Sequence, residues 1–324
     1  MTVTPHAAGS ALIGRFRPRP GHWIRPLVFM APALAGLALF FVYPLGALVF
    51  YSFTRYDLLN DPVWVGLRNY VHLLAGDPLA RKAAYNTVWL VVVITVLRLV
   101  FATGVAAVLA RVRSGAGLFR TLVYLPALAP PVAATLAFTF LFNPGTGPVN
   151  TVLGWFGISG PLWFSDPAWA KPALTLLTLW VSGELIIILL AGMLDVPAEL
   201  YEAAGLDGAG PVRRFWHITL PSIAPVLVFG VINSVILGLQ YFTQAVVAAS
   251  VASGSADIAG SRRVIGYPDN STLTFPVWLY QQGFHYYNMG YASAMSVFLF
   301  VVSTLFTVIF VQRLRRASHA EEMS

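Results

Sequence analysis

The 324-residue chain contains no cysteine, so neither a disulfide framework nor a thiolate metal site is open to it. Lysine is nearly absent as well. Lys82 and Lys171 stand in Arg-Lys-Ala and Ala-Lys-Pro, so there is no Gly-x-x-x-x-Gly-Lys-Ser/Thr loop to hold a nucleotide's phosphates. The histidines His6, His22, His72, His217, His285 and His319 never fall three or four residues apart, which argues against a helical metal site. No nucleophile constellation accompanies them, and His217 and His285 read as loop residues rather than proton carriers. Charge of either sign is sparse, at 10% of residues against 57% hydrophobic. Soluble domains carry about a quarter charged residues, and a soluble core has no use for so much apolar surface.

In place of charge there are apolar runs near 27–53, 88–110, 118–142, 172–194, 223–249 and 291–312. Each is long enough to cross about 30 Å of hydrocarbon at roughly 1.5 Å per residue. The expected fold is an all-α membrane protein with six transmembrane helices. Arg15, Arg17, Arg19 and Arg25 precede the first run, and Arg111, Arg113 and Arg120 separate the second and third. Arg213 and Arg214 lie between the fourth and fifth, and Arg313, Arg315 and Arg316 follow the sixth. This short-loop density predicts cytoplasmic N and C termini. It also accounts for most of the net charge of +7, so no nucleic-acid partner is expected. The first run is too long for a signal-peptide core and lacks a small-x-small cleavage site, which makes it a retained span.

The expected organisation is a basic cytoplasmic segment at 1–26, a six-helix domain at 27–316 and a cytoplasmic tail at 317–324. External loops fall at 55–86, 143–171 and 252–290, and a cytoplasmic loop at 195–221. Pro32 and Pro44 in the first span, and Pro126, Pro130 and Pro131 in the third, predict kinks. The 143–171 loop has the proline and glycine of a folded segment with interfacial Trp163 and Trp169. Ser250 to Gly266 is rich in serine, glycine and alanine and is expected to be mobile. No internal repeat is visible.

The 195–221 loop is unlike a variable connector. Asp195-Val-Pro197-Ala-Glu199-Leu-Tyr-Glu202-Ala203-Ala204 reads as a short helix with proline in its first turn and acids near its positive end. Gly205, Gly208 and Gly210 are expected to break it, and Pro211 to start a second helix that ends at Pro221. Two stub helices at an angle make a rigid knob, with Ala203, Ala204 and Gly208 allowing close backbone approach. The pattern Glu202-Ala-Ala, three residues, Gly208, nine residues, Ile218-x-Leu220-Pro221 resembles the EAA loop of ABC importer permeases. The resemblance implies ATPase coupling through Glu202, Ala203, Ala204, Gly208, Arg213, Ile218, Leu220 and Pro221.

Further blocks are similar to the maltose/oligosaccharide branch of these permeases. They are Pro44 with Ser52-Phe53-Thr54, Gly66-Leu67-Arg68-Asn69-Tyr70, Asn86-Thr87, Trp163-Phe164-Ser165-Asp166-Pro167, Asn270-Ser271-Thr272 and Met289-Gly290-Tyr291-Ala292-Ser293-Ala294. Ser250–Gly266 departs from that pattern by its length. The resemblance implies a type I importer permease in a bacterial-type cytoplasmic membrane, itself not an enzyme and binding no cofactor. It implies a second permease in a heterodimer, two ABC ATPase subunits carrying ATP and Mg, an extracytoplasmic sugar-binding protein and a sugar substrate.

On the fifth run, Asn233, Leu237, Gln240, Tyr241 and Gln244 are spaced i, i+4, i+7, i+8 and i+11, one helical face. A polar stripe at that depth is expected to face protein or water. Its amides suit sugar hydroxyls and its ring suits their C–H faces, although Asn and Gln also join helices, at about 0.6 kcal/mol each. On the fourth run, near Trp180, the resemblance adds Ser182, Glu184 and Leu185. Arg98 and Glu184 are the ionisable groups well inside the spans, where each costs a few kcal/mol unless paired or hydrated. Two arrangements answer that: a bridge between them or to the partner permease, or Glu184 facing sugar in a cavity. A different class of protein, a gradient-driven secondary transporter or channel, would use the same two groups as an ion path. A scaffold with no solute path is a third reading.

Overall fold

A computed structural model describes residues 24–254 and 265–321. The basic residues before 24, most of Ser250–Gly266 including Arg262 and Arg263, and the last three residues lie outside the described residues, so the expected mobility at 255–264 is not addressed. The chain divides into two units, Met1–Leu48 and Val49–Ser324.

In the first unit, helix Ile24–Leu37 passes through Pro32 and gives way to a π-helical turn at Ala38–Val42. Pro44 follows at once and has no N–H to donate. The hydrogen-bond ladder is offset by one residue just before it, with Tyr43 N–H donating to Ala38 O. The apolar stretch Val28–Ser52 satisfies the length and hydropathy of a span.

The second unit is organised around the 32-residue helix Pro78–Leu109, about 48 Å long. It begins ten residues before the apolar run that marked it, so part of the expected 55–86 loop is helix. Its faces explain its position. Leu90, Ile94, Arg98, Ala102 and Ala106 recur every four residues and are buried, whereas Val88, Val92, Val96 and Val100 form an exposed stripe suited to lipid. The last span also runs straight, within helix Met289–Glu321.

The other three spans are bent pairs. Ala116–Leu128 meets Pro131–Leu141 at 99°. Ala129 and Pro130 are extended there, because Pro130 and Pro131 donate nothing and exclude helical backbone before them. Pro167–Trp180 meets Gly183–Leu194 at 50°, with Gly183 tight against the backbone of Val123 and Tyr124. Pro211–Ser222 meets Ala224–Leu239 at 70° across Ile223, just ahead of Pro225. The fifth span therefore ends at Leu239 rather than near 249. Gln240 to Phe242 form a break, and a buried helix, Thr243–Ala252, follows.

Sequence blocks far apart in the chain meet at the end of the bundle where helix Pro78–Leu109 begins. Asn69 Nδ2 donates to Ser52 O (2.9 Å) and Thr54 O (2.8 Å), and Tyr70 Oη to Ser52 Oγ (2.7 Å). Gly290 N–H reaches Tyr56 O at 3.1 Å, and any Cβ on Gly290 would strike the Thr54 carbonyl. Asn86 Nδ2 donates to the carbonyls of Asn270 (2.7 Å) and Leu273 (2.9 Å), and Phe275 N–H donates to Thr87 Oγ1 (2.8 Å). The described part of the expected external loop 252–290 is thus largely interior, with Thr274 buried and Leu273, Phe275, Val277 and Trp278 buried in one apolar cluster with Leu90 and Ile94 of the long helix. The 143–171 segment is folded as expected, with Trp163 Nε1 donating to Asn150 Oδ1 at 2.7 Å.

Asp77 fastens this arrangement. Its Oδ1 caps the long helix by accepting from Leu79 N (2.9 Å) and Ala80 N (3.0 Å). Its Oδ2 accepts from Trp278 Nε1 (2.7 Å) and Tyr291 Oη (2.8 Å). Burial pushes the carboxyl's pKa up, but the donors, Trp278 foremost, outweigh that and hold it below the ordinary carboxylate value.

Candidate functional site: a polar cavity and a two-helix knob

Spans two to five enclose a cavity of about 270 Å³. Its polar lining comes from Arg98, Thr135, Thr178, Glu184, Gln240, Tyr241 and Gln244, set among apolar Ile94, Leu177 and Leu237. The bend of span three contributes Ala129 and Pro131 to the same wall, so the proline break opens room inside the bundle.

The sequence-predicted residues divide into three groups. Glu184, Leu237, Gln240, Tyr241 and Gln244 reach the cavity. Asn233 binds instead to Arg98, whose Nη1 donates to Asn233 Oδ1 (2.9 Å) and Ser234 Oγ (3.2 Å). Ser182 and Leu185 are buried and do not line it: Ser182 Oγ donates to Thr178 O (2.7 Å), and Leu185 packs with Ala102, Ala106 and Leu189. The expected single helical face is corrected as well. Gln240 and Tyr241 lie beyond the helix end, in the break. There the Tyr241 hydroxyl is held by Thr178 Oγ1 (3.0 Å) and Leu174 O (3.1 Å), which orients the buried ring at the cavity wall.

Arg98 and Glu184 form no direct ion pair among the described residues. Arg98 is buried and tied to span five, and Glu184 is exposed at the first turn of Gly183–Leu194. Arg98→Met is therefore expected to destabilise the chain by about 2 kcal/mol, because it strands the buried side of Asn233. Adding Asn233→Leu should recover most of that in detergent-phase thermal unfolding; no recovery would assign Arg98 a different principal partner. Thr135 and Thr178 were missed from sequence, since threonines are frequent along these spans and only the bends bring these two together.

On the opposite end of spans four and five stands the 195–221 segment. Helix Ala198–Leu206 starts after Pro197 and includes Gly205, so Gly205 does not break it. The helix stops at Gly208, whose φ is +74°. Ala209 N donates to Ala204 O (2.9 Å) and Gly208 N to Gly205 O (3.1 Å), the pattern of a left-handed helix cap. No atom lies within 4 Å of a Cβ built on Gly208, so backbone conformation rather than close approach requires glycine. The crowded position is Gly205, where a Cβ would sit 3.1 Å from Arg214 Nη2.

Gly210 precedes the second helical stretch, Pro211–Ser222, which contains a π-helical turn at Phe215–Thr219. Arg214 Nε donates to Ala209 O (2.7 Å), and the hydroxyls of Tyr201 and Thr219 bond at 2.9 Å, locking the two helices together. Glu202, Ala203, Gly208, Arg213 and Pro221 are exposed, and Ala204, Ile218 and Leu220 are half-buried. Around them Leu206 is 92% exposed, Val212 70% and Trp216 59%.

Residues 99–318 match the family model described as "Binding-protein-dependent transport system inner membrane component". The chain is 35% identical over 283 residues to the probable ABC transporter permease protein YesP of Bacillus subtilis, covering 87% of each. It is 33% identical over 299 residues to the sulfoquinovosyl glycerol transport system permease protein SmoG of Agrobacterium fabrum, covering 91% of this chain and 92% of that one. Its fold matches a chain of a bacterial alginate ABC transporter solved in complex with an alginate pentasaccharide-bound periplasmic protein. The TM-score is 0.74 at 20% identity, covering 91% of this chain and 95% of that one. Six apolar helical spans, a polar space among the second to fifth and a capped two-helix knob, together with these matches, place the chain in the family of binding-protein-dependent transport system inner membrane components, the permeases of ABC importers.

Proposed function

We propose that the chain is one of two permeases in an ATP-driven importer of sugar-type solutes, with both termini cytoplasmic. It receives solute from an extracytoplasmic binding protein and is driven by two separate ATPase subunits that carry ATP and Mg. The observation that carries the reading is the knob. Three large apolar side chains stand exposed on a segment whose backbone is locked by a glycine cap and cross-helix hydrogen bonds, beside the exposed Glu202. Apolar surface held rigidly outside the membrane fits a protein partner, and a rigid contact transmits motion. Amides, hydroxyls and a ring in the cavity support a polyhydroxylated solute, as does the solute in the name of SmoG. Family membership removes the support for a gradient-driven carrier or channel, and Arg98 is already committed to Asn233 and Ser234.

The test is Glu202→Lys in the importer reconstituted in proteoliposomes. Because Glu202 is exposed, thermal stability should not change. ATPase co-purification or binding-protein-stimulated hydrolysis should fall at least about tenfold, equivalent to losing roughly 1.4 kcal/mol of coupling. Full transport by the variant would overturn the coupling assignment. Mass spectrometry of what co-purifies with the wild-type chain identifies the second permease.

A further inference from the structure

Beside the knob lies a second space, distinct from the solute cavity and about 500 Å³ in volume, where the ends of spans two and four meet the second knob helix. Two arginines enter it, Arg111 from the end of span two and Arg214 from the knob. Met193, Leu194 and Phe215 form an apolar wall, and Leu194 is 53% exposed. No carboxylate lines the space. Arg111 is exposed and has no ion pair or side-chain hydrogen bond among the described residues. Arg214 is aimed by its Nε bond to Ala209 O, and its two terminal nitrogens have no partner among the described residues. The hydroxyls nearby are already used, Tyr201 with Thr219.

Two guanidinium groups without a counter-charge, set against an apolar wall whose Leu194 is exposed at the end of membrane helices, complement a phosphate ester that carries a hydrocarbon chain. Arginine's planar fork suits phosphate oxygens, and basic pockets between helices on the cytoplasmic side recruit anionic headgroups. We propose that this crevice binds the headgroup of an anionic phospholipid, with the phosphate on Arg111 and Arg214 and the acyl chain along Met193 and Leu194. The proposal takes the cytoplasmic placement of this loop from the preceding section and goes beyond it. A bound lipid joins the end of span two to the knob, so the knob's position becomes sensitive to the lipid composition of the inner leaflet.

The experiment uses the intact importer in nanodiscs of phosphatidylcholine alone or mixed with phosphatidylglycerol, with native mass spectrometry of the lipids that stay bound. Wild-type protein is expected to retain phosphatidylglycerol preferentially. Arg111→Gln should lower that retention about fivefold, the weight of one arginine at an anionic surface, with the thermal midpoint unchanged because Arg111 is exposed. Arg111→Lys, which keeps the charge and loses the fork, should fall between the two. Equal retention by wild type and Arg111→Gln overturns the site. If soluble glycerol phosphate displaces phosphatidylglycerol at equal concentration, the ligand is a free phosphate ester and the lipid assignment is overturned.

Discussion

Asp77→Ala is expected to lower the stability of the chain by about 3–7 kcal/mol. Loss of a helix N-cap accounts for roughly 1 kcal/mol, and the buried indole N–H of Trp278 and hydroxyl of Tyr291, left without an acceptor, for about 1–3 kcal/mol each. The effect is large because one carboxylate joins three elements: the start of helix Pro78–Leu109, the segment at 275–280 and the start of the last span. Thermal unfolding in detergent measures it, and a midpoint equal to wild type would show that the three elements hold together without the carboxylate. The same group gives a pH signature. Its folded pKa lies below its unfolded one, so its stabilisation is complete above about pH 4 and is lost as pH falls through the folded value. Wild type should therefore lose stability in acid, and Asp77→Ala should lose less.

Gly208→Val should abolish most coupled activity and leave the fold intact. A β-branched residue at φ +74° is strained by at least about 1–2 kcal/mol. The strain falls on the cap that ends helix Ala198–Leu206, none of whose residues belongs to a buried apolar cluster. Since space around the position is open, side-chain bulk is irrelevant and conformation decides. Gly208→Asn, which tolerates left-handed backbone, should retain more binding-protein-stimulated ATP hydrolysis than Gly208→Ala, and Gly208→Val least. A ranking by side-chain size instead would mean that the partner packs directly on this residue.

The apolar runs located every span, because crossing hydrocarbon leaves a long uninterrupted signature. Their ends were less legible. Residues 78–87 belong to the long helix yet include Arg81, Lys82, Asn86 and Thr87, whose polarity reads as loop, and only the 270–275 segment shows Asn86 and Thr87 to be interior. The same long-range pairing turned an expected polar loop into a buried cover, and no local periodicity encodes a hydrogen bond across 184 residues. Of the cavity, Gln240, Gln244 and Glu184 stood out because amides and charge are rare in spans. Thr135 and Thr178 did not, and Ser182 and Leu185 entered as solute contacts only through the family resemblance. The 50° bend at Val181–Ser182 turns them inward instead.

Half of the spans being jointed gives the molecule a mechanical ratio. The elbow at Ile223, its side chain 1% exposed, separates a 12-residue arm toward the knob from a 16-residue arm whose end carries Gln240. At about 1.5 Å per residue these arms are roughly 18 and 24 Å long. Pivoting as one lever on that fulcrum, they would move Gln240 by about 1.3 Å for each ångström of travel at Pro211. The straight Pro78–Leu109 rod alongside supplies the stationary beam against which such travel is measured.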